Sequence, residues 1–344
     1  MNGTFLKAMI FFLTLSSSFL FSDTASSRTE IRGVIDEDTK WTVNHSPYLL
    51  SENVVVQKDA CLSIERNVVV IFSKGTRFFV QGRLDAYRAF FNGFFDVNNE
   101  EVFQYLPEAK GDLIRCAFVD LSLVFETSDV RLSTSVVSNR NGTGVTIGKG
   151  ASPTVSDSSF HGNSYFAAYQ LGKTPIKLTN CFWGAENGPS REGDGSGDAV
   201  GPNILFKPFQ PKERFNFLLL YEMSVQKDTD NSDGNIQLGY HLVNMNATEH
   251  KVVLGASVHG PKNCVYHDPT SDIHATVPPG FHRYGRLFTI PPHAHKGLYD
   301  IHCSVMNDSL SEYYAYVRVK DGINIQDVHL LTSRKKIPFT NPDG

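Results

Sequence analysis

The chain has only 2 Trp and 5 Met, and it has no surplus of positive charge: 32 Lys and Arg against 36 Asp and Glu leave a formal charge of −4. Without a basic excess to neutralise phosphates, a nucleic-acid partner is excluded as the expectation. No apolar run reaches the ~20 residues that a spanning helix needs. No segment carries apolar residues at helical spacing over ten or more positions, which argues against a helical domain or helical repeat. There is no Cys-x-x-Cys pair to signal structural zinc, no Gly-x-Ser-x-Gly elbow and no phosphate loop. What is abundant is Phe (25), Gly (27) and β-branched runs, at 41% hydrophobic and 20% charged residues. That balance is far from disordered composition and suits a β-protein. At 344 residues, two domains is the expectation.

The first 22 residues read as a secretory signal: Lys7 supplies the positive end, and Ala8–Leu15 with Phe19–Phe21 the apolar stretch. Ser22, Ala25 or Ser26 is the small residue at a cleavage site. The expected location is therefore outside the cell or on its surface, with no transmembrane segment beyond that signal. Five cysteines remain, an odd number: Cys61, Cys116, Cys181, Cys264 and Cys303. Cys264 and Cys303 fall in the same C-terminal part and are the candidate disulfide. The other three sit in strand-like segments and read as small buried hydrophobes. Asn44, Asn141, Asn246 and Asn307 open Asn-x-Ser/Thr sequons, which matter in a cell that glycosylates exported proteins.

Between Ile31 and about Phe209 the strand-like pieces are short, such as Val54-Val-Val56, Leu62–Ile64, Val68–Phe72 and Arg77–Val80, each closed by a turn signal. One element recurs: Arg115-Cys-Ala-Phe118, Ser135-Val-Val137, Ser158-Ser-Phe160 and Asn180-Cys-Phe182. Its apolar anchors Phe118, Val137, Phe160 and Phe182 lie 19, 23 and 22 residues apart. A period near 20 with short strands indicates a solenoid whose coils bury their inward faces only by stacking. Residues 87–113, with Tyr87, Phe90, Phe91, Phe94, Phe95, Phe103 and Tyr105, depart from this pattern. They read as an irregular stretch whose aromatics cover the flank of the solenoid or form a platform on it.

These residues resemble the opening and closing coils of secreted right-handed parallel β-helix proteins of the pectin-lyase-like kind. The opening is Trp41-Thr-Val-Asn-His-Ser-Pro47-Tyr48, Cys61-Leu-Ser-Ile-Glu-Arg66-Asn67 and Phe79-Val-Gln-Gly82-Arg-Leu84, with Arg66-Asn67 where the family usually has Pro-Gly. The closing series is Asn180-Cys-Phe-Trp183-Gly184, Gly188-Pro189, Gly195-Ser-Gly-Asp198-Ala-Val200 and Phe206-Lys-Pro208-Phe209. The resemblance implies a structural role for Trp41, Trp183, Gly184, Gly188, Pro189 and Asp198. It implies the fold and no activity, because lyases, adhesins and surface-layer components share it. After Pro208 the strands lengthen and alternate over Phe215–Val225, Ile236–Asn244, Lys251–His259, Phe281–Ile290, Gly297–Val305 and Tyr313–Val319, as in an antiparallel sandwich. The punctuation Val277-Pro-Pro-Gly280 and Ile290-Pro-Pro-His resembles immunoglobulin-like accessory domains. The expected organisation is a signal over 1–22, a β-helix over 30–210, an immunoglobulin-like sandwich over 214–325 and a tail over 326–344.

Three sets of residues invite chemistry. Asp228, Asp230 and Asp233 offer carboxylates on one loop where calcium would bind, but without the spacing or the later Glu of a dedicated calcium loop; Asp194 and Asp198 fall in a similar Gly-rich stretch. His293-x-His295 could share a metal but lies in a turn without a third ligand; ten of the twelve histidines fall between His241 and His329 and read as scattered surface groups. Carboxylates for glycan chemistry are available in the coils as Asp85, Asp96, Asp112, Asp120, Glu126, Asp129 and Asp157. No Asp-Asp pair marks them, and His161-Gly162 follows Phe160 rather than Gly, unlike the polygalacturonase element. The catalytic residues are thus unassigned. The expectation is an exported, non-catalytic protein whose laddered face lies along an extended polysaccharide or a cell-surface protein. A polysaccharide lyase or glycoside hydrolase, or a subunit of a surface lattice, are the alternatives.

Overall fold

The computed structural model describes residues 28–94, 101–213, 217–227, 235–246, 248–260, 263–289, 297–307 and 313–325. The first part is a parallel β-helix of about seven turns. Its coils are β1 (Thr29–Ile35) with β2 (Thr39–Trp41); β3 (Tyr48–Val56) with β4 (Cys61–Ile64); β5 (Val69–Phe72), β6 (Arg77–Val80) and β7 (Arg83–Tyr87); β8 (Phe90–Asn92), β9 (Val102–Tyr105) and β10 (Lys110–Ile114). Then follow β11 (Ala117–Val119), β12 (Ser122–Phe125) and β13 (Val130–Ser133); β14 (Val136–Ser138), β15 (Val145–Ile147) and β16 (Thr154–Ser156); β17 (Ser159–Phe160), β18 (Ala168–Gln170) and β19 (Ile176–Thr179). The closing coil holds β20 (Pro189–Arg191), β21 (Gly197–Val200) and β22 (Ile204–Leu205).

Three flanks result. The first stacks the N-terminal half of β3 with β5, β8, β11, β14 and β17. The second stacks the C-terminal half of β3 with β6, β9, β12, β15, β18 and β21. The third runs β2-β4-β7-β10-β13-β16-β19-β22. In-register pairing ladders like upon like. Phe91, Phe118, Val137 and Phe160 form one inward column, and Phe91 stacks on Phe118 with centroids 4.9 Å apart. Each fully buried side chain of this kind contributes roughly 1.5–3 kcal/mol.

The corner between the third and first flanks explains the recurring element. Arg88, Arg115, Thr134, Asp157 and Asn180 all take left-handed φ values, between 51° and 56°. Each is followed by a small buried residue, Ala89, Cys116, Ser135, Ser158 and Cys181. This alignment corrects the expected period at its end. Cys181 occupies the corner, so Phe182 bridges Ser159, and the residue stacked on Phe160 is Trp183, at 5.0 Å. Residues 87–113 are likewise a regular coil rather than an irregular stretch. Phe91, Phe103 and Tyr105 point inward, and the departure is an insertion between β8 and β9, of which 95–100, with Phe95 and Asp96, lie outside the described residues. Buried Glu101 ties the insertion back, its Oε1 accepting the Gly75 N–H at 2.8 Å.

The C-terminal part is antiparallel: β23 (Leu218–Lys227), β24 (Asn235–Asn244), β25 (His250–His259), β26 (Val265–His267), β27 (Ile273–Val277), β28 (Gly280–Thr289), β29 (Gly297–Asn307) and β30 (Tyr313–Ile325). One sheet runs β23-β24-β28 and the other β26-β25-β29-β30, with β27 also paired to β25. β26 and β27 are short strands that join the six longer ones expected from the sequence, and the two sheets face each other. Their inner faces share one core, which extends to the outward side of the first flank: Val69, Phe90, Ala117, Val119 and Val136 pack with Phe217 and the sheets. Strands buried on both faces read as continuous apolar runs, which is what Val69-Val-Ile-Phe72, Phe90-Phe91 and Val136-Val137 are.

The disulfide expected between Cys264 and Cys303 does not form; both are free thiols. Cys303 pairs across from Ala256 on one side of β25, whereas Cys264 precedes Val265, which pairs with His259 on the other side. They sit on different neighbours of β25 and are offset by several residues at ~3.4 Å each, far beyond the ~7 Å Cα limit of a disulfide. Cys116, Cys181 and Cys303 are buried, and burial pushes each thiol up to about 12. Cys61 is half-buried on the outward side of β4 rather than in the core.

Candidate functional site

Among the described residues the sandwich covers the first flank and leaves the second and third open. The second shows the ladder Val55, Phe79, Gln104, Val124, Thr146 and Tyr169, all half-buried and without charge. The third carries the polar chemistry. Because side chains alternate across a strand, Leu62, Leu84, Ala86, Leu113 and Leu132 face the core. Ser63, Asp85, Asp112 and Arg131 align on the outside, one per rung.

This register brings Asp85 and Asp112, 27 positions apart in sequence, onto consecutive rungs roughly 4.8 Å apart. Arg83 Nε donates to Asp85 Oδ2 at 2.6 Å and its guanidinium reaches Asp112 Oδ2 at 3.4 Å; Arg131 Nε donates to Asp112 Oδ1 at 2.9 Å. The Asp112 N–H donates to Asp85 Oδ1 at 3.0 Å. All four carboxylate oxygens are therefore engaged, and the Asp85 bond in turn raises the affinity of Arg83 for its proton. Each oxygen keeps a second lone pair for an incoming hydroxyl.

Beside the pair lies a depression of about 290 Å3 whose lining includes Ser63, Glu65, Asp85, Tyr87, Asp112 and Ile114. A second, of about 500 Å3, adjoins it through the shared Glu65 and Tyr87 and extends to Val43, Arg66 and Asn67. Tyr87 stands between them with 46% of its surface exposed. A 2.6 Å ion pair with Lys40 holds the Glu65 carboxyl below its usual range.

The other carboxylates weighed from sequence lie elsewhere. Asp120 is buried at a corner between the first and second flanks, where it accepts from the Arg140 backbone and guanidinium. Asp157 is one of the left-handed corner residues. Glu126 and Asp129 are exposed in the turn before β13. Asp228, Asp230 and Asp233 lie outside the described residues, as do His293 and His295. Among the described residues no group of three or more His, Cys, Asp or Glu has the geometry to hold a metal ion. The histidines are less scattered than read: His259 and His302 stack at 3.9 Å on the outer face of the five-stranded sheet.

The motif residues are all in or against the closing and opening coils. Trp41 stacks on Tyr48 at 4.7 Å. Asp198 Oδ2 accepts Asn163 N–H at 2.8 Å and Asn163 Nδ2 at 2.7 Å, and Oδ1 accepts Gly162 N–H. From there Asn163 Oδ1 accepts Asn139 N–H, and Asn139 Nδ2 donates to Ser122 Oγ, a polar rail along one corner. Gly184 has φ +86°, and Pro189 is buried in β20. Gly188 has φ +89°, and a Cβ there would stand 2.8 Å from the Phe209 ring.

Arg83, Arg131, Ser63 and Glu65 were not singled out by the sequence reading. The signal that finds them is coil register: once Leu84 and Gly111 are aligned, the outward positions follow.

No protein-family model matches this chain, and no curated protein matches it. Among solved structures, a Bacteroides fragilis protein assigned as a β-galactosidase shares 19% identity over 28% of this chain and 15% of its own, with a TM-score of 0.22. At that level the similarity carries no argument about fold or activity. No helix among the described residues is long and apolar enough to cross a membrane.

Proposed function

We propose that this is an exported, non-catalytic protein that lays an extended polysaccharide along the third flank of its β-helix, outside the cell or on its surface. The observation that carries the reading is the state of the carboxylates. Asp85 and Asp112 stand on consecutive rungs as a glycosidase pair would, yet Arg83, Arg131 and a backbone N–H already occupy every oxygen. A general acid or base must exchange a proton with a reacting atom, whereas carboxylates each fixed by an arginine suit accepting hydrogen bonds through their remaining lone pairs. The ladder offers acceptors for sugar hydroxyls, and exposed Tyr87 offers a flat apolar face beside them. The acidic balance of the chain, −4 overall, fits a neutral glycan better than a polyanion. The C-terminal sandwich is read as immunoglobulin-like, a reading supported by its chain crossing between a sheet of the first, second and sixth strands and a sheet of the third, fourth, fifth, seventh and eighth.

The test incubates the purified chain with a panel of neutral and acidic polysaccharides, with and without calcium, following co-sedimentation and soluble products by mass spectrometry. Retention on a neutral glycan that Tyr87→Ala weakens at least tenfold, with no products, is the expected result. New oligosaccharides that vanish in Asp85→Asn or Asp112→Asn would overturn it in favour of the second reading, a hydrolase or lyase, which the pairing of two carboxylates beside Arg83 supports.

A further inference from the structure

The outward rows of the three flanks differ in kind. Under the sandwich, the first flank shows Val69, Phe90, Ala117, Val119 and Val136. The third flank shows Ser63, Asp85, Asp112 and Arg131 to solvent. The second flank is open among the described residues, yet its outward row is of the covered kind. Its ladder from Val55 to Tyr169 starts one rung earlier still, at Val34, which pairs with Val55 and is 54% exposed. Seven consecutive rungs therefore carry no charge, and four of them carry Val or Phe. Exposed apolar strips of several hundred Å2 mark contact surfaces. Six steps of roughly 4.8 Å make the ladder about 29 Å long. With the side chains that flank it, the face measures roughly 35 by 20 Å, or about 700 Å2 per copy, against the ~800 Å2 per partner of a standard interface.

We propose that the second flank is the contact between two copies of this chain, related by a two-fold axis at Gln104. Homodimers close by such an axis, and the same surface then meets itself. With the axis along β9, the rungs of one copy run against those of the other. Both aromatic rungs then lie on valines, Tyr169 against Val34 and Phe79 against Val124, while Val55 meets Thr146. Gln104, on the middle rung, meets its own copy, and its amide has both the donor and the acceptor for a reciprocal pair. The flanking charges find no like charge opposite. Arg77, two positions before Phe79, meets Ser122, two before Val124; Glu126 meets Gln81, and Asp36 meets Leu171. The third flank stays free, so the contact does not depend on the polymer reading.

The experiment is sedimentation velocity of the purified full chain, without polysaccharide, from about 1 to about 200 μM, the range in which an interface of this size dissociates. The expected result is a mass that moves from one chain to two as concentration rises. Gln104→Lys sets two like charges against each other on the axis and should weaken association at least tenfold, as should Gln104→Glu. An equal mixture of the two variants should associate again, which a variant that merely misfolds cannot do. Tyr87→Ala should leave association unchanged. A wild-type chain that stays single across the range, a Gln104→Lys protein that pairs as tightly as wild type, or a mixture that fails to recover would rule the two-fold contact out.

Discussion

If the Asp85–Asp112 pair is a neutralised structural ladder rather than a reaction centre, its removal should be felt in stability, and the size can be worked out. Replacing Arg83 by Met keeps a long apolar stem but strips the charge that two carboxylates share. The carboxylates are then left on rungs roughly 4.8 Å apart. At that separation, like charges repel by about 0.9 kcal/mol in water and about 3.5 kcal/mol at an effective dielectric of 20. With side-chain exposures of 34% and 35%, solvent screens much of this, and Arg131 still holds Asp112. The expected loss is therefore about 1–2 kcal/mol. The assay is urea denaturation at neutral pH of the wild type, Arg83→Met, Asp112→Asn and the double variant. Asp112→Asn should return most of the Arg83→Met loss, giving a coupling energy of about 1 kcal/mol, and 1 M salt, with a Debye length of about 3 Å, should shrink it. A cycle without coupling, or a double variant no better than Arg83→Met, would refute the reasoning.

Four other outcomes are expected. Thr134 is a β-branched residue at φ 52°, a conformation that strains such side chains, so Thr134→Asn should stabilise by about 1 kcal/mol in the same urea assay, while Arg115→Asn should gain less. Gly197→Ala should destabilise by about 3 kcal/mol or more, because the new Cβ meets the Trp183 carbonyl oxygen and backbone cannot yield cheaply; loss of near-ultraviolet tryptophan dichroism reports it. Asp268 is held below its usual carboxyl range: burial opposes this, but hydrogen bonds from Ser271 and Thr270 outweigh it. Its contribution is thus present above the unfolded value of about 3.9 and lost as pH falls through the lower folded value, so Ser271→Ala should flatten the acid limb of a stability–pH curve. Native alkylation should label Cys61 and Cys264 quickly and Cys116, Cys181 and Cys303 only on unfolding.

The solenoid was legible because its period is written in residue types: a tolerant corner, a small buried residue, then an inward anchor. Where the writing is ambiguous the reading slipped. Phe182 and Trp183 are both large and aromatic, and only the position of Cys181 in the corner decides that Trp183 joins the column. The coil over 87–113 was obscured by its insertion, which stretches the distance between Asp85 and Asp112 to 27 residues against later anchor spacings of 19 and 23. A period search tuned to those spacings misses the pair. The apparent disulfide failed for a different reason: sequence places two cysteines in one domain but does not say on which side of β25 each falls.

The covering of the first flank limits what the rest of the surface can do. Its outward residues Val69, Phe90, Ala117 and Val136 are apolar because the sandwich lies on them, and Phe90 meets Phe217 at 6.1 Å and Phe281 at 6.3 Å. His161 adds a polar tie across the same junction, its Nε2 donating to Met245 O at 2.8 Å. An interface with an aromatic centre and a polar rim resists sliding. The sandwich therefore acts as a fixed lateral cover, and a polymer aligned with the coils has only the second and third flanks available. Of these, the second offers an uncharged ladder with few hydrogen-bonding groups, and the third offers acceptors on each rung from Ser63 to Asp112. Phe90→Ala tests this division. It should cost about 3 kcal/mol or more by opening the junction, and it should leave retention on the glycan unchanged wherever the variant stays folded, because Tyr87 and Asp85 face another flank. Loss of retention in a folded Phe90→Ala protein would place the polymer between the domains instead.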